Sequence, residues 1–391
     1  MSRLFVKMLF VSLCCGIVLL LSGCNSAAND NDNLRYSIPE ALKMCRDIPL
    51  SQYALELGYI PLQTTNEALI GRNPLFCTDE NYIYVSTSSI LIFDKEGKFV
   101  SKINKKGRGP EEYLRVNHLS VDNKEVSVDD GLKILSYSIE GKSLRCVNLK
   151  QAGYSSIRSS ANMGKGMFAL VSEGKSEHQS LQIVDSASNV ISAIELGIMP
   201  SFLANGMTIV ENDKVYAYKD SIYIFNANGD TLFVYDGNCM ADRYIFDYGK
   251  YDFNNLDAEN PNSLRNYSRE ILESDRFIKF GLLGNKYSLA KLYSKGTDSR
   301  LAAGVMILDK QKKELCAMPY NYEFETHGFK NDIDYGAPFL PDFCTDKYLY
   351  QLVQADKFIE YATKSNSPRM KEIAATLTEE SNPVLVVATL K

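Results

Sequence analysis

The sequence predicts an all-β protein, a six-bladed β-propeller with two short helical insertions. Three observations predict this fold. A strand-turn-strand unit recurs along the chain, the copies are spaced as propeller blades are spaced, and further short strand candidates precede several copies. Four short strands per period, joined by turns, are typical of a blade.

Each copy of the unit is an apolar strand that ends in an aromatic residue and reaches a glycine four residues later. Glycine supplies the positive φ that a tight hairpin turn needs, and a second strand follows the turn. The clear copies are Ile90–Phe93 with Gly97, Ile134–Tyr137 with Gly141, and Ile222–Phe225 with Gly229. The weaker copies are Leu181–Asp185, with Asn189 in the glycine position, and Val305–Asp309.

The spacing of the copies supports blades of about 40 to 50 residues. The anchors Phe93, Tyr137, Val184, Phe225 and Leu308 are separated by 44, 47, 41 and 83 positions. The last interval is long enough for one blade boundary and an insertion. The 285 residues from 76 to 360 give about 47 per blade if divided by six. The same arithmetic also allows five or seven blades.

Two helices are predicted to interrupt the strands. Ser263 can cap a helix that places Leu264, Tyr267, Ile271 and Leu272 on one face. Ser367 and Pro368 are a capping residue followed by proline at the first helical position. The apolar stripe of this second helix is Met370, Ile373, Ala374 and Leu377.

The end of the chain is predicted to close the ring. Asn382-Pro383 ends the second helix, and Val384–Leu390 is apolar throughout, as a buried strand is. A closed propeller leaves few exposed sheet edges, so this strand needs a partner. The early stretch from Tyr59 to Leu62 is the predicted partner.

The N-terminus predicts a secreted, lipid-anchored protein. Arg3 and Lys7 precede a short apolar run that is too short to span a bilayer, which is the pattern of a signal peptide. Leu21-Ser22-Gly23-Cys24 matches the lipobox of bacterial lipoproteins, in which the cysteine is lipidated. The predicted organisation is a signal peptide at 1–23, a lipid-anchored tether and lead-in at 24–50, and the propeller at 51–391.

Composition excludes some classes of function. The net charge of −5, without a basic stripe, disfavours nucleic-acid binding. Beyond the signal and Cys24, six scattered cysteines remain with no Cys-x-x-Cys pair, which disfavours a zinc or thioredoxin-like site. These cysteines are predicted to be small buried hydrophobic residues, and disulfides remain open because the protein is predicted to be exported.

The segment from Lys106 to Tyr113 is the most distinctive motif. Its glycines permit close backbone approach, and Arg108, Glu111, Glu112 and Tyr113 could contact a ligand. It also stands where one blade passes to the next, where glycine and proline punctuate a link. We therefore favour a structural inter-blade motif over a binding site. The residues assigned to this motif are Gly107, Gly109, Pro110, Glu112 and Tyr113.

Local motifs for catalysis are missing from the sequence. His118, His178 and His327 are far apart and have no metal-like spacing, so ordinary core or surface histidines are predicted. No nucleophile elbow occurs, and Asn331–Gly336 lacks the final glutamate of a calcium loop. Neighbouring carboxylates such as Asp129-Asp130 point opposite ways on a strand and do not form a glycosidase pair. Neither metal nor cofactor is predicted.

Two segments carry a family resemblance. They are Phe93–Val100 with the following Gly-Arg-Gly-Pro-Glu-Glu-Tyr at 107–113, and the ending from Asn382 to Lys391. Together with the lipobox, they resemble the six-bladed propeller lipoproteins of Gram-negative gut anaerobes, and the blades are similar to NHL- or TolB-like propellers. The resemblance implies a propeller fold and a location at the cell envelope. The outer membrane is favoured, and the side of it that the protein faces, periplasmic or surface, is left open.

The favoured function is a membrane-anchored, non-catalytic binding or scaffolding module. Its expected partners are the lipid bilayer through acylated Cys24, and a glycan or an envelope protein. The alternatives are a lyase or hydrolase acting on extracellular polysaccharide, whose site would lie in the central channel, and a sensor or assembly part of an envelope complex.

Overall fold

A computed structural model describes the chain in the ranges 35–148, 156–173, 178–198, 201–204, 207–210, 213–225, 229–237, 239–249, 264–285 and 301–391. The predicted signal peptide, Cys24 and Ser263 lie outside these ranges. By its contacts the chain divides into the units Met1–Arg35 and Tyr36–Lys391. Among the described helices, none combines the length and the apolar character required to cross a bilayer.

The second unit is a ring of six four-stranded antiparallel blades, which confirms the predicted six-bladed propeller. Blade 1 is β3 (Phe76–Thr78), β4 (Tyr82–Ser86), β5 (Ile90–Asp94) and β6 (Phe99–Ile103). Blade 2 is β7 (His118–Asp122), β8 (Glu125–Asp129), β9 (Lys133–Tyr137) and β10 (Ser143–Asn148). Blade 3 is β11 (Ser156–Gly164), β12 (Met167–Glu173), β13 (His178–Val184) and β14 (Val190–Ile198).

The second half of the ring has the same order of strands. Blade 4 is β17 (Lys214–Tyr218), β18 (Ser221–Phe225), β19 (Thr231–Tyr235) and β20 (Met240–Asp247). Blade 5 is β21 (Leu264–Glu273), β22 (Phe277–Asn285), β23 (Leu301–Asp309) and β24 (Glu314–Met318). Blade 6 is β25 (Phe343–Cys344), β26 (Tyr348–Val353), β27 (Val384–Leu390) and the early strand β2 (Ala54–Pro61).

Additional elements lie between and beside the blades. Strand β1 (Arg35–Ser37) adds a fifth strand beside β20, and β15 (Ser201–Ala204) pairs only with β16 (Met207–Val210). The helices are α1 (Ile38–Lys43), α2 (Ala355–Lys364), α3 (Pro368–Ala374) and a short 3-10 helix at Leu50–Gln52. Helices α2 and α3 are an insertion within blade 6, between β26 and β27.

Burial along the strands follows from radial packing of the blades. A middle strand such as β5 packs against neighbouring blades with both faces, so four of its five residues are buried. An outermost strand such as β6 alternates between half-buried and exposed residues, because one side of the ring faces solvent. The apolar runs that predicted the repeat are therefore the middle strands of the blades.

The ends of the chain close the ring as predicted. Strand β27 lies between β26 and β2, and Tyr59 pairs with Val386 in the antiparallel register of β2 with β27. Asn382 braces this seam. Its side chain accepts from Ile70 N–H at 2.8 Å and donates to the carbonyls of Gln63 and Ala68 at 2.8 and 2.6 Å.

The structure confirms one of the two predicted helices. Helix α3 begins as expected, with Ser367 Oγ accepting from Met370 N–H at 3.0 Å, and Met370 is buried. The helix predicted from Leu264 onward is wrong, because these residues form β21 and pair with β22. The helical spacing of its apolar residues is outweighed by the pairing of β21 with β22, because strand formation depends strongly on tertiary context.

Two details of the repeat also differ from the prediction. The residue with positive φ in the turn after β13 is Ser188 at 70°, and the assignment of this position to Asn189 is wrong. Ser188 is the residue four positions beyond Val184, as Gly97 is beyond Phe93. The anchor Phe225 lies on the second strand of its blade, whereas Phe93 and Tyr137 lie on third strands. Equal spacing therefore did not mark equivalent strands in blade 4.

The six cysteines of the described ranges are all free thiols. Cys77 and Cys316 are buried, as predicted. Cys146 and Cys239 are exposed, so the prediction of buried residues is wrong for them. Cys146 lies on the outermost strand β10, where alternate residues face solvent.

Candidate functional site

The glycine-rich segment at 106–113 forms a closed turn between β6 and β7. Gly107 N–H donates to the carbonyl of Tyr113 at 3.0 Å, and Gly109 N–H donates to Glu112 Oε2 at 2.8 Å. A Cβ added to Gly107 would collide with the carboxylate of Glu112, so a larger residue there would have to displace this side chain. The carboxylate of Glu112 is thus engaged within its own segment.

Side chains of blade 2 donate hydrogen bonds to the backbone of the same segment. Lys133 Nζ donates to the carbonyls of Gly109 and Pro110 at 3.1 and 3.2 Å, and Tyr137 OH donates to the carbonyl of Glu111 at 2.8 Å. Tyr113 is 1% exposed and packs in the apolar core shared by blades 1 and 2. The segment at 106–113 therefore lies between blades 1 and 2 and is held by contacts with both.

The central channel is a concave feature of the described residues. It is a cavity of about 510 Å³, and its lining residues come from the first strands of all six blades, with Asp342 just before β25. The lining mixes hydroxyl, amide, carboxylate, imidazole and aromatic groups. Pockets of about 300 to 1,000 Å³ with convergent polar groups are the usual places for small ligands.

The first strands of blades 2 and 3 run parallel along this channel. Each blade is a four-stranded antiparallel meander, so its last strand ends at the face of the ring where its first strand began. The hydrogen bonds confirm the direction. Going down both strands, His118 faces Ser160 at 3.3 Å, Asn162 Nδ2 donates to Ser120 Oγ at 3.3 Å, and Lys165 N–H donates to Asp122 at 3.2 Å.

Three residues, His118, Ser160 and Asp129, are connected by hydrogen bonds beside the start of β7. Ser160 Oγ lies 2.6 Å from Asp129 Oδ2 and 3.3 Å from His118 Nδ1, and Gly131 N–H donates to Asp129 Oδ1 at 2.7 Å. His118 and Ser160 line the channel, although Ser160 is only 3% exposed, whereas Asp129 is 4% exposed and is not among the lining residues. This chain of hydrogen bonds therefore leads from the channel into the seam between blades 2 and 3.

Burial dominates the protonation of both ionisable members of this chain. Burial, with the ammonium of Lys214 as a smaller contribution, lowers the pKa of His118 to about 3. Burial raises the pKa of Asp129 to about 6, although the hydrogen bonds from Ser160 and Gly131 favour the carboxylate. The imidazole is therefore neutral at physiological pH, and Asp129 can take up a proton in mildly acidic solution.

A second polar cluster lies where blades 4 and 5 meet. The Glu273 carboxylate accepts from Lys310 Nζ at 2.6 Å and from Tyr216 OH at 2.6 Å. Lys310 also lies 4.5 Å from the ring centre of Tyr218. Burial lowers the pKa of Lys310, while the charge of Glu273 opposes this effect. Burial and the charge of Glu273 raise the pKa of Tyr216 well above its usual value.

Tyr216 is the tyrosine of this cluster that lines the channel. The ring of Tyr216 stacks on that of Tyr223, with centroids 5.4 Å apart and planes 15° apart. Cys344 Sγ donates to the carbonyl of Glu273 at 3.1 Å, and burial raises the pKa of this thiol to about 12. Within the described ranges, no three His, Cys, Asp or Glu side chains gather as metal ligands would.

The comparisons with known proteins support the same fold. The family described as a domain of unknown function, DUF4934, matches residues 35–389. The chain belongs to this family. No curated protein matches the sequence significantly.

Two solved structures are similar to this member of the family. A protein from Bacteroides fragilis, described as exported, has a TM-score of 0.64 at 16% identity, with 92% of this chain and 99% of that chain covered. A DUF4221 family member from Bacteroides vulgatus has a TM-score of 0.47 at 12% identity, with 86% and 97% covered. At such identities the first likeness shows the fold alone, and it confirms the predicted resemblance at that level.

The channel residues were not identified from the sequence. His118 was predicted to be an ordinary histidine, and Asp129 was considered only beside its neighbour Asp130. The side chain that Asp129 meets is Ser160, which is 31 positions away on another blade. The one local signal was the alternation of His118, Ser120 and Asp122 on a strand, which places polar groups on a single face.

Proposed function

We propose that this protein is a lipid-anchored envelope receptor whose propeller binds a small polar ligand in its central channel without transforming it. The observation that carries the proposal is the channel itself, a cavity of about 510 Å³ to which all six blades contribute. The lipobox that ends in Cys24 supports the anchor and the outer membrane as its address. The description of the Bacteroides fragilis relative as exported supports the compartment.

The lining favours a neutral, polyhydroxylated ligand such as a short glycan. A sugar hydroxyl both donates and accepts, and the wall formed by Ser120, Asn162 and Asp122 offers both kinds of partner. The ring of Tyr216, which lines the channel on blade 4, can stack on an apolar sugar face. The charged lining groups Glu273 and Asp122 already accept hydrogen bonds from the protein, so they are positioned as fixed partners.

Geometry favours binding over the alternative of a polysaccharide lyase or hydrolase. Ser160 and His118 are a lining pair with the separation of a nucleophile and a base. Ser160 is almost fully buried, however, and its short contact to Asp129 directs the hydroxyl away from the channel. A nucleophile needs access to the substrate and a base that takes its proton.

The test is a titration of the full chain in detergent with a panel of oligosaccharides, amino acids and organic acids. A ligand at a hundred times its Kd should stabilise the fold by about 2.7 kcal/mol, read as a higher melting temperature. Ala217→Trp fills the channel and should abolish the shift. Ala193→Trp, on the exposed face of the outermost strand β14, is the matched control and should retain it.

Two results would contradict the receptor. One is a panel in which no compound raises the melting temperature of the wild type. The other is a shift that Ala217→Trp leaves unchanged, since the ligand would then lie elsewhere. Release of products from a polysaccharide in the same samples would favour the enzyme.

A further inference from the structure

We propose that Asp129, Ser160 and His118 form a proton relay that sets whether the imidazole presents a hydrogen-bond acceptor or a donor to the channel. The relay would make His118 a specificity-determining residue of the proposed binding site. Only this consequence rests on the proposed function. The relay itself is a property of the ligand-free protein and is tested there.

The direction of each hydrogen bond follows from the chemistry of the three groups. Oδ1 of Asp129 accepts from Gly131 N–H, so Oδ2 is the oxygen that faces Ser160. While Asp129 is a carboxylate, the hydroxyl of Ser160 must donate to it. Ser160 Oγ then has only lone pairs for His118 Nδ1, which must carry the ring proton. Nε2 is left as an acceptor.

Protonation reverses every bond in the chain. A proton from solvent binds Nε2, the Nδ1 proton passes to Ser160 Oγ, and the Ser160 proton passes to Asp129 Oδ2. One proton has been added, the imidazole is still neutral, and its N–H is now at Nε2. The channel side of His118 has changed from acceptor to donor without gaining a charge.

The surroundings support a neutral relay. Lys214 from β17 acts on both His118 and Asp129, and its positive charge opposes an imidazolium. Asp130, in the turn after β8, acts on Asp129 with the opposite sign and favours uptake of the proton there. His118 Nε2 makes no hydrogen bond with any residue in the described ranges, so it is available to the channel.

The relay changes which ligand atoms suit the channel. With Nε2 as acceptor, His118 pairs with a hydroxyl or an amide N–H of the ligand. With Nε2–H as donor, it pairs with a carbonyl or carboxylate oxygen. A buried hydrogen-bonding group that meets the wrong partner typically costs about tenfold in affinity.

The experiment is NMR of the full chain in detergent with 15N-labelled histidine. The sequence has only three histidines, so His178→Gln and His327→Gln complete the assignment. The ring nitrogen shifts distinguish N–H from a lone pair. We expect the Nδ1–H tautomer of His118 above about pH 7 and the neutral Nε2–H tautomer below about pH 5, since the pKa of Asp129 is about 6.

Asp129→Asn should imitate the protonated state. Gly131 N–H requires an acceptor, so the amide oxygen would face it and the NH₂ group would face Ser160. This variant should hold His118 as Nε2–H at both pH values. Ser160→Ala should uncouple the tautomer from Asp129, and Ser160→Thr, which keeps the hydroxyl, should retain the switch.

The proposal is overturned if wild-type His118 keeps one tautomer from pH 5 to pH 7.5. It is equally overturned if the ring becomes a charged imidazolium, or if Ser160→Ala switches as the wild type does. Should Asp129→Asn fail to fold, the pair Ser160→Ala and Ser160→Thr still decides the matter. Neither variant needs a ligand, so a failed ligand titration leaves this result unaffected.

Discussion

A histidine that stays neutral inside the fold makes the protein sensitive to acid. The unfolded chain takes up a proton at this residue below about pH 6.5, whereas the folded chain does so only near pH 3. Because the folded pKa is lowered, the stability is full above pH 6.5 and is lost as the pH falls. At pH 5 the free energy of unfolding is therefore lower than above pH 6.5 by about 2 kcal/mol from this residue.

His118→Gln should therefore lose less stability than the wild type between pH 7.5 and pH 5, by about 2 kcal/mol. Urea unfolding at the two pH values measures this difference. His327→Gln is the control, because His327 does not line the channel. Equal losses of stability for His118→Gln and the wild type would refute the prediction.

Asn382, just before β27, connects this strand by hydrogen bonds to the 62–70 segment that follows β2. It is 2% exposed, and its side chain satisfies Ile70 N–H and two carbonyl groups of the 62–70 segment. Asn382→Ala removes three hydrogen bonds to backbone groups, of which the one to Ala68 is buried and the other two are part-buried, and should cost about 3 kcal/mol. The exposed Asn81→Ala should cost almost nothing, and chemical denaturation of both variants checks the contrast.

At the scale of elements, β27 is the strand on which closure depends. It pairs with β26 on one side and β2 on the other. Deleting 384–391 would expose two strand edges, and unpaired edges promote aggregation. Expression should give insoluble or aggregated protein by size-exclusion chromatography. Deleting Lys391 alone removes one backbone hydrogen bond and should leave a monodisperse protein.

The elements that could be predicted are those with local signals. Ser367 and Pro368 predict α3 because a cap and a fixed φ act within one turn. The apolar run at Val384–Leu390 predicts β27, because a strand packed on both faces needs no polar side. Strand β21 was missed, since its pairing with β22 is a tertiary contact that its own residues do not encode.

The site was less predictable than the fold for a related reason. Asp129 and Ser160 meet because two blades are adjacent in the ring, and no spacing in the sequence records that adjacency. His118 lines the channel because β7 is the first strand of its blade. Which strand is first depends on the position in the sequence at which the blade begins. The repeat spacing alone misjudged such a beginning in blade 4.

At the scale of the whole molecule, the proposed lipid anchor at Cys24 can be tested directly. Cys24→Ala should abolish incorporation of labelled palmitate and either release the protein from membranes or leave its signal uncleaved. Metabolic labelling with cell fractionation measures both effects. Cys45→Ala, which removes a nearby cysteine of the lead-in, should keep the label. A Cys24→Ala protein that matures and fractionates as the wild type does would refute the anchor.

The pairing of β2 with β27 also has a kinetic consequence. The outermost strand of blade 6, β2, precedes its neighbour β27 by most of the ring, so blade 6 cannot assemble until β27 has been made. Contacts between distant parts of a chain form slowly, because a long loop must close first. A ring that cannot close before β27 is present therefore stays incomplete, and its blade 6 edges stay unpaired, for most of the synthesis of the blades.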